Sequence, residues 1–360
     1  MINEFNEINI HKKNDDHNIN MENTYADIYK DFYDFSSDKL DEVRNKIKNN
    51  LIDLELNDED FKRSNVLNIG PAREVYIFQE LGFNNVYHVD VSDIAVKAVN
   101  NLKEQKHCTN IFSFKNDICS SNKLKFNHKI DLVYLSGVFH HLHDPKKAVK
   151  NIMEKLNTKA RIYLRIYRSG SLNFFIVDFI RKYVMWEDKK NIEIIFKKKY
   201  LDLDTSSVLF KDMIDNFFVP ISRYYDPAEL NEYFAMFGLS SINNNLYEEY
   251  NHENTELSGQ GWSLHYITDN IRLLDDLDNL EFPKHIDQMN DVHYKEEFIL
   301  ETVRLMKQFL INSKNYDRQF IIEILLDLYK LCQIKGSIKK INSENMHKKI
   351  QNTMLNSNVV

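Results

Sequence analysis

Three histidines and an aspartate crowd into Phe139-His140-His141-Leu142-His143-Asp144-Pro145. Imidazole changes charge near neutral pH, so a histidine here suits a general base that takes a proton from an attacking group. His140 and His141 are the candidates, with Tyr167 and His265 behind them. The plainer alternative is that these rings hydrogen-bond the loop they sit in. A metal is not expected, because adjacent histidines point in different directions and no second ligand cluster occurs elsewhere. A second set of residues falls at the ends of apolar runs. Asn68-Ile69-Gly70-Pro71-Ala72-Arg73 follows the first run, and its glycine lets backbone approach a ligand. The helix start behind that glycine favours an anion, and Arg73 adds a cation for a carboxylate. The bland reading is a tight turn. Asp90 ends the next run, 20 residues past Gly70, where a carboxylate can accept both hydroxyls of a ribose or merely cap a helix. Asn116-Asp117-Ile118 ends a third run. Its aspartate can accept from an adenine amino group while Ile118 packs on the ring. A third set is aromatic with one cation: Arg223-Tyr224-Tyr225 after a run at 215–220, and Trp262 after Gly259-Gln260-Gly261. It reads either as core packing or as the wall of an acceptor pocket in which Arg223 meets an anion.

The elements that must hold these residues alternate. SNVLNI (64–69), NVYHVD (85–90), IFSFKND (111–117), IDLVYLS (130–136) and ARIYLRIYR (160–168) read as buried strands. Between them lie helical patterns: Val75, Phe78 and Leu81; then Ile94 to Leu102 behind a Ser92 cap; then Ala148 to Leu156 behind Asp144-Pro145. Strands separated by helices of this length give a parallel, doubly wound sheet with right-handed crossovers. Segments 240–250 and 262–268 supply two more strands, for a mostly parallel seven-stranded Rossmann-like α/β sheet. Asp226-Pro227-Ala228-Glu229 opens a helix that stops at Gly238.

Around that core the chain divides. Residues 1–60 read as an N-terminal helical lid in which Tyr25, Tyr29 and Tyr33 recur every four positions, as packing or facing an acceptor. Residues 61–169 and 226–269 form the core, 170–225 a helical cap over the substrate, and 270–360 a C-terminal helical extension. The last is a packed appendage or a homodimer surface, through faces such as Phe298, Leu300, Val303, Leu305 and Met306.

Composition excludes several classes. With 47 Lys+Arg against 54 Asp+Glu, the net charge of −7 argues against a nucleic-acid or anionic-membrane surface. Three cysteines, Cys108, Cys119 and Cys332, give neither a disulfide framework nor a zinc-cysteine cluster. The polar start MINEFNEINIHKKNDDHNIN lacks the apolar run expected of a signal peptide, and no apolar run reaches membrane-spanning length. The expectation is a cytoplasmic protein that works on a small molecule or a peptide.

Taken together and in order, VLNIGPAREVYIFQELGF, VYHVDVSDIAV, FKNDI and IDLVYLSGVFHHLHDPKKAVKNIMEKL resemble the class I S-adenosylmethionine-dependent methyltransferases. The similarity covers about residues 60–268. It is nearest to the small-molecule branch, with His-His-Leu and then Asp-Pro after the fourth strand. The resemblance implies S-adenosylmethionine as cofactor and S-adenosylhomocysteine as product. It implies that Asn68, Gly70, Pro71, Ala72 and Arg73 face the methionine end and that Asp90 holds the ribose. Val91, Asp117 and Ile118 then meet the adenine, and Ser136 and Gly137 lie near the sulfonium. The acceptor would sit under the cap near Tyr167, Arg223, Tyr224, Trp262 and His265, and offer an oxygen or nitrogen nucleophile. The sulfonium methyl is already activated, so the protein mainly aligns donor and acceptor.

The chain departs from that pattern. Asn68 stands where the family has an acidic residue, Ala72 and Glu74 stand where it has glycines, and Asn157-Thr158-Lys159-Ala160 replaces a Pro-Gly-Gly turn. These losses keep alive a non-catalytic scaffold that binds a partner. Retention of Asp90, Asp117 and the paired histidines speaks against it. An aminopropyl transferase wants a carboxylate cluster after the fourth strand that is missing, and a nicotinamide oxidoreductase wants GxGxxG.

Overall fold

The computed structural model describes residue 24 and residues 37–121, 126–167, 169–170, 172–185, 187–199, 208–247, 261–274, 279–287, 292, 297–333, 343–357 and 359. Tyr25, Tyr29 and Tyr33 lie outside these residues. In chain order the elements are α1 (Ser37–Asp53), α2 (Asp58–Phe61), β1 (Asn65–Ile69), α3 (Ala72–Glu80), β2 (Asn85–Asp90), α4 (Asp93–Gln105), β3 (Ile111–Lys115) and β4 (Ile130–Ser136). A 3-10 turn (Phe139–His141) leads to α5 (Pro145–Met153), β5 (Leu156–Tyr167), α6 (Leu172–Val184), α7 (Lys189–Lys199), α8 (Val208–Phe218) and α9 (Pro227–Met236). Strands β6 (Ser240–Tyr247) and β7 (Gly261–Ile267) come next, then α10 (Glu297–Asn312), α11 (Arg318–Gln333) and α12 (Ser343–Leu355).

The strands form one seven-stranded sheet in the order β3-β2-β1-β4-β5-β7-β6. The first five are parallel, and β7 runs antiparallel to both β5 and β6. Strand order reverses between β1 and β4, the place where an open α/β sheet leaves a crevice at its carboxyl edge. The apolar runs of β1, β2 and β4 are buried on both faces, as inner parallel strands under helices must be, whereas the edge strand β3 is mostly half-buried. Alternate residues serve opposite layers. Val66, Val86, Leu132 and Tyr134 pack with α1 and α3, whereas Leu67, Val89, Val133 and Leu135 pack with α5 and α9. The caps predicted from sequence form. Ser92 accepts from the Ala95 N–H at 3.4 Å, Asp144 from the Lys147 N–H at 3.0 Å, and Asp226 from the Ala228 N–H at 2.7 Å.

A third core holds no strand. Phe175, Ile180, Ile192, Phe196, Met213 and Phe217 of α6 to α8 are buried against Met306, Phe309, Leu325, Leu328, Ile350 and Met354 of α10 to α12. The cap and the C-terminal helices therefore share one apolar interior. The face of α10 that the sequence marks as apolar turns inward at Val303 and Met306. Among the described residues, no helix is long and apolar enough to cross a membrane.

Candidate active site

The turn from β1 into α3 is built around Gly70. Its φ of +109° lies in the region that a side chain disfavours, and a Cβ there would stand 2.4 Å from Val138 Cγ2. The loop is pinned from below by His88, whose Nε2 lies 2.8 Å from the Gly70 carbonyl and whose Nδ1 lies 2.8 Å from Ser113 Oγ. A carbonyl only accepts, so Nε2 carries the proton. Burial pushes this imidazole down to about 4, against the pull of the Gly70 carbonyl. His88 is a neutral structural donor that strand periodicity hides, since it looks like any interior strand position.

Around Gly70 the polar atoms are arranged asymmetrically. Asn68 is fully buried; its Nδ2 donates to the Pro71 carbonyl at 2.9 Å, and its Oδ1 has no partner. Helix α3 begins behind Pro71 with no side-chain cap on its first N–H groups. Ala72 is buried in the core below, and Arg73 flanks Glu74 on the first turn. By sequence Glu74 counts only as a missing glycine. It is buried, with burial holding its carboxyl up at about 8 while Arg73, Arg165 and a hydrogen bond from Ser136 pull it down. Its Oε2 has no partner.

The strand ends beside this turn carry the two aspartates. Asp90 accepts from the Ser92 N–H at 2.7 Å, and Val91 next to it is half-buried. Asp117 accepts from the Cys119 N–H at 2.8 Å through one oxygen; its other lies 3.7 Å from His143 Nδ1. Ile118 is buried behind it. Ligand atoms of Asp117, Cys119 and His143 fall within 4.8 Å of one another. Burial pushes the Cys119 thiol far up, with Asp117 adding to the effect. On the other side of β1, Ser136 ends β4. Gly137 follows with φ +78°, its N–H on the Arg165 carbonyl at 3.3 Å and open space where a side chain would stand.

The paired histidines have different hydrogen bonds, and these assign them different chemistry. The Tyr167 N–H donates to His140 Nδ1 at 3.2 Å, and the ring stacks on Tyr167 with centroids 3.6 Å apart. A neutral His140 therefore holds its proton on Nε2, which is buried and has no partner. Burial, with His141 and Arg165 adding, keeps this imidazole well below its ordinary pKa. It is a donor, with neither nitrogen offering a lone pair. His141 is the reverse. Its Nδ1 lies 2.7 Å from the Ile221 carbonyl and so carries the proton, which makes Nε2 the basic nitrogen. Burial lowers its pKa, opposed by Asp215 and the Ile221 carbonyl.

Cap residues complete this end. Tyr167 donates to Asp215 Oδ2 at 3.2 Å, and Asp215 Oδ1 is buried without a partner. Tyr224 is buried and lies near Tyr167, with ring centroids 6.1 Å apart. The expectation for Arg223 was an anion on the acceptor. Instead its N–H donates to the His140 carbonyl at 3.0 Å and its guanidinium to the His143 carbonyl at 3.1 Å. It ties the cap to the histidine loop. Trp262, the second residue of β7, pairs with Ile166 near the carboxyl end of β5. His265 is not brought to this edge. Being three residues further along an antiparallel strand puts it on the opposite sheet face, fully buried, 3.7 Å from Asp53 at the end of α1.

The profile of a family described as a methyltransferase domain matches residues 41–243. No curated protein sequence matches the chain. Solved structures of similar fold include magnesium protoporphyrin IX methyltransferase from Synechocystis PCC 6803 with bound S-adenosylhomocysteine. It is 12% identical over 71% of this chain and 97% of that one, with a TM-score of 0.40. The 1,6-didemethyltoxoflavin-N1-methyltransferase of Burkholderia thailandensis is 11% identical over 72% and 92%, with a TM-score of 0.45. PKMT2 from Rickettsia typhi is 12% identical over 61% and 52%, with a TM-score of 0.43.

Proposed function

The chain belongs to the methyltransferase-domain family, and from that premise we propose that it moves a methyl group from S-adenosylmethionine to an oxygen or nitrogen nucleophile of a small organic or peptide acceptor. The observation that carries this reading is an ordering along the sheet edge. Asp117 lies two residues past β3, Asp90 closes β2, and Gly70 and Gly137 follow β1 and β4, and these strands are neighbours in the order β3, β2, β1, β4. They offer in turn an acceptor for an adenine amino group, an acceptor for ribose hydroxyls, a bare backbone and an open space. The residues present fit the cofactor at its far end too, where the uncapped α3 start suits a carboxylate and buried acceptor atoms remain unpartnered. Asn68, Gly70, Pro71, Ala72 and Arg73 would hold the methionine end, Asp90 the ribose, Val91, Asp117 and Ile118 the adenine, and Ser136 and Gly137 the sulfonium region.

Bound S-adenosylmethionine supplies a methyl group already activated by its sulfonium. The chain's own residues have three tasks. The cap, tied down by Arg223, excludes water and holds the acceptor against the sheet edge. His140, as an Nε2–H donor, orients an acceptor oxygen. His141, with Nε2 as its basic nitrogen, takes the proton from a hydroxyl or ammonium nucleophile, a task worth typically about 10²–10⁴-fold in rate. Tyr167 and Asp215 extend the polar surface to which that acceptor binds.

Calorimetric titration with S-adenosylmethionine and S-adenosylhomocysteine tests the reading, with Asp90→Ala as the control. Micromolar binding lost in the variant supports it. No heat with either ligand returns the chain to the scaffold alternative and starts a search for a protein partner.

A further inference from the structure

The departure at position 74 looks like erosion in the sequence, but the buried atoms around it form a site. Two acceptors at the mouth of the β1–α3 turn lack partners: Asn68 Oδ1 and Glu74 Oε2. Both side chains are more than nine-tenths buried, at 0% and 7% exposed. Leaving a buried acceptor unmet is costly, and a buried carboxyl stays protonated until a cation meets it. The other half of each group is served, Asn68 Nδ2 by the Pro71 carbonyl and the Glu74 carboxyl by Ser136, Arg73 and Arg165. What is missing is a donor, best a cationic one.

The topology says which part of the ligand arrives there. With adenine at the end of β3 and ribose at the end of β2, a ligand stretched along the edge passes β1. Its remaining end then lies toward β4 and β5, where Ser136 and Arg165 flank Glu74. That end of S-adenosylmethionine is an amino acid, carrying one ammonium and one carboxylate. The geometry points to Glu74 as the side chain that receives the ammonium of the cofactor's amino-acid end, with the Asn68 amide oxygen as second acceptor. This rests on the cofactor reading above. It gives the chain a carboxylate one helical turn beyond the strand end where the family pattern has its acidic residue and this chain has Asn68.

The assignment has a pH signature. The groups facing Glu74 are Arg73 on its own helix, Ser136 and Tyr134 from β4, and Arg165 from β5. Tyr134 accepts from Asn50 of α1 at 2.8 Å, and His88 of β2, beneath the Gly70 carbonyl, stays neutral. With its carboxyl held up at about 8, Glu74 is protonated in the free protein at pH 6 and must release that proton to meet an ammonium. Affinity then rises with pH from 6.0 to 7.5, by up to about tenfold per unit, while the ligand's own amine stays mostly protonated.

The test compares S-adenosylhomocysteine with 5′-methylthioadenosine, which lacks the amino-acid end, by calorimetry at pH 6.0 and 7.5. Two buffers of different ionisation enthalpy report the proton released. For wild type, S-adenosylhomocysteine binds more tightly at pH 7.5, with proton release, and methylthioadenosine shows neither effect. Glu74→Gln weakens S-adenosylhomocysteine about ten- to a hundredfold at pH 7.5, removes its pH dependence and leaves methylthioadenosine unchanged. Glu74→Gly, the family's residue, is the second variant should the first fail to fold, with the same expectation. Equal loss of both ligands in a folded variant, or no loss of either, overturns the assignment while the cofactor reading stands. Failure of wild type to bind S-adenosylhomocysteine overturns both.

Discussion

Substituting Gly70 by alanine separates two costs that the structure places at one residue. The new Cβ would stand 2.4 Å from Val138 Cγ2, against a normal carbon contact of about 3.5 Å, so the valine methyl must give by about 1.1 Å. Val138 is half-buried and its methyl is the tip of a short side chain, so it yields by leaving its rotamer, at about 0.5–1.5 kcal/mol. The backbone cost is separate. At φ +109° an alanine is strained by about 1–3 kcal/mol whatever its surroundings. Gly70→Ala should therefore lose about 2–4 kcal/mol. Val138→Ala alone should cost about 1 kcal/mol in lost burial. The double variant should then recover about 1 kcal/mol relative to additivity, because only the steric part is shared. Equilibrium urea unfolding of the four proteins measures each term, with S-adenosylhomocysteine titration alongside. The rescued double variant should still bind the ligand at least about tenfold more weakly, since a methyl now covers the backbone it approaches. A Gly70→Ala protein within about 0.5 kcal/mol of wild type, or a strictly additive cycle, would refute this account of the loop.

Three further outcomes follow from the same geometry. His88 titrates near 4 when folded and near 6.5 when unfolded, so the unfolded chain binds more protons between those values and stability is lost as pH falls through them. The loss is about 2 kcal/mol at pH 5 and about 3 below pH 4; His88→Gln should lack it, and equal acid sensitivity of the two proteins in urea titrations counts against the assignment. His141→Gln should lower turnover about a hundredfold or more and leave cofactor affinity intact, whereas a folded His141→Gln enzyme with wild-type turnover moves the base elsewhere. Leu325→Ala, in a fully buried position of α11, should cost about 2–5 kcal/mol and open the cap as well as the tail to limited proteolysis. Cleavage confined to 297–360 would show that the two do not share a core.

What the sequence disclosed and what it hid follow one physical line. Strands β1, β2 and β4 announce themselves because a parallel strand buried on both faces needs an unbroken apolar run. The caps at Ser92, Asp144 and Asp226 are equally legible, being local hydrogen bonds between near neighbours. β5 is longer than its apolar run because Asn157, Thr158 and Lys159 are exposed and carry no pattern that distinguishes strand from loop. An amphipathic helix shows that it has a partner and not which one, so α10 to α12 gave no sign that they pack on the cap. The site divides the same way. Asp90, Asp117 and Gly70 are readable because strand ends fix them. The roles of His140 and His141 are not, because a backbone N–H from Tyr167 and a carbonyl from Ile221 decide which nitrogen bears the proton. Those partners lie 27 and 80 residues away. Glu74 is the sharpest case. Against a motif it counts as a lost glycine, and only its burial, its two arginines and its unpartnered oxygen turn that loss into a buried acid that a cation would ionise. Residue type at a motif position therefore measures similarity to a family. Whether the chemistry survives a substitution depends on which polar atoms the fold leaves unmet.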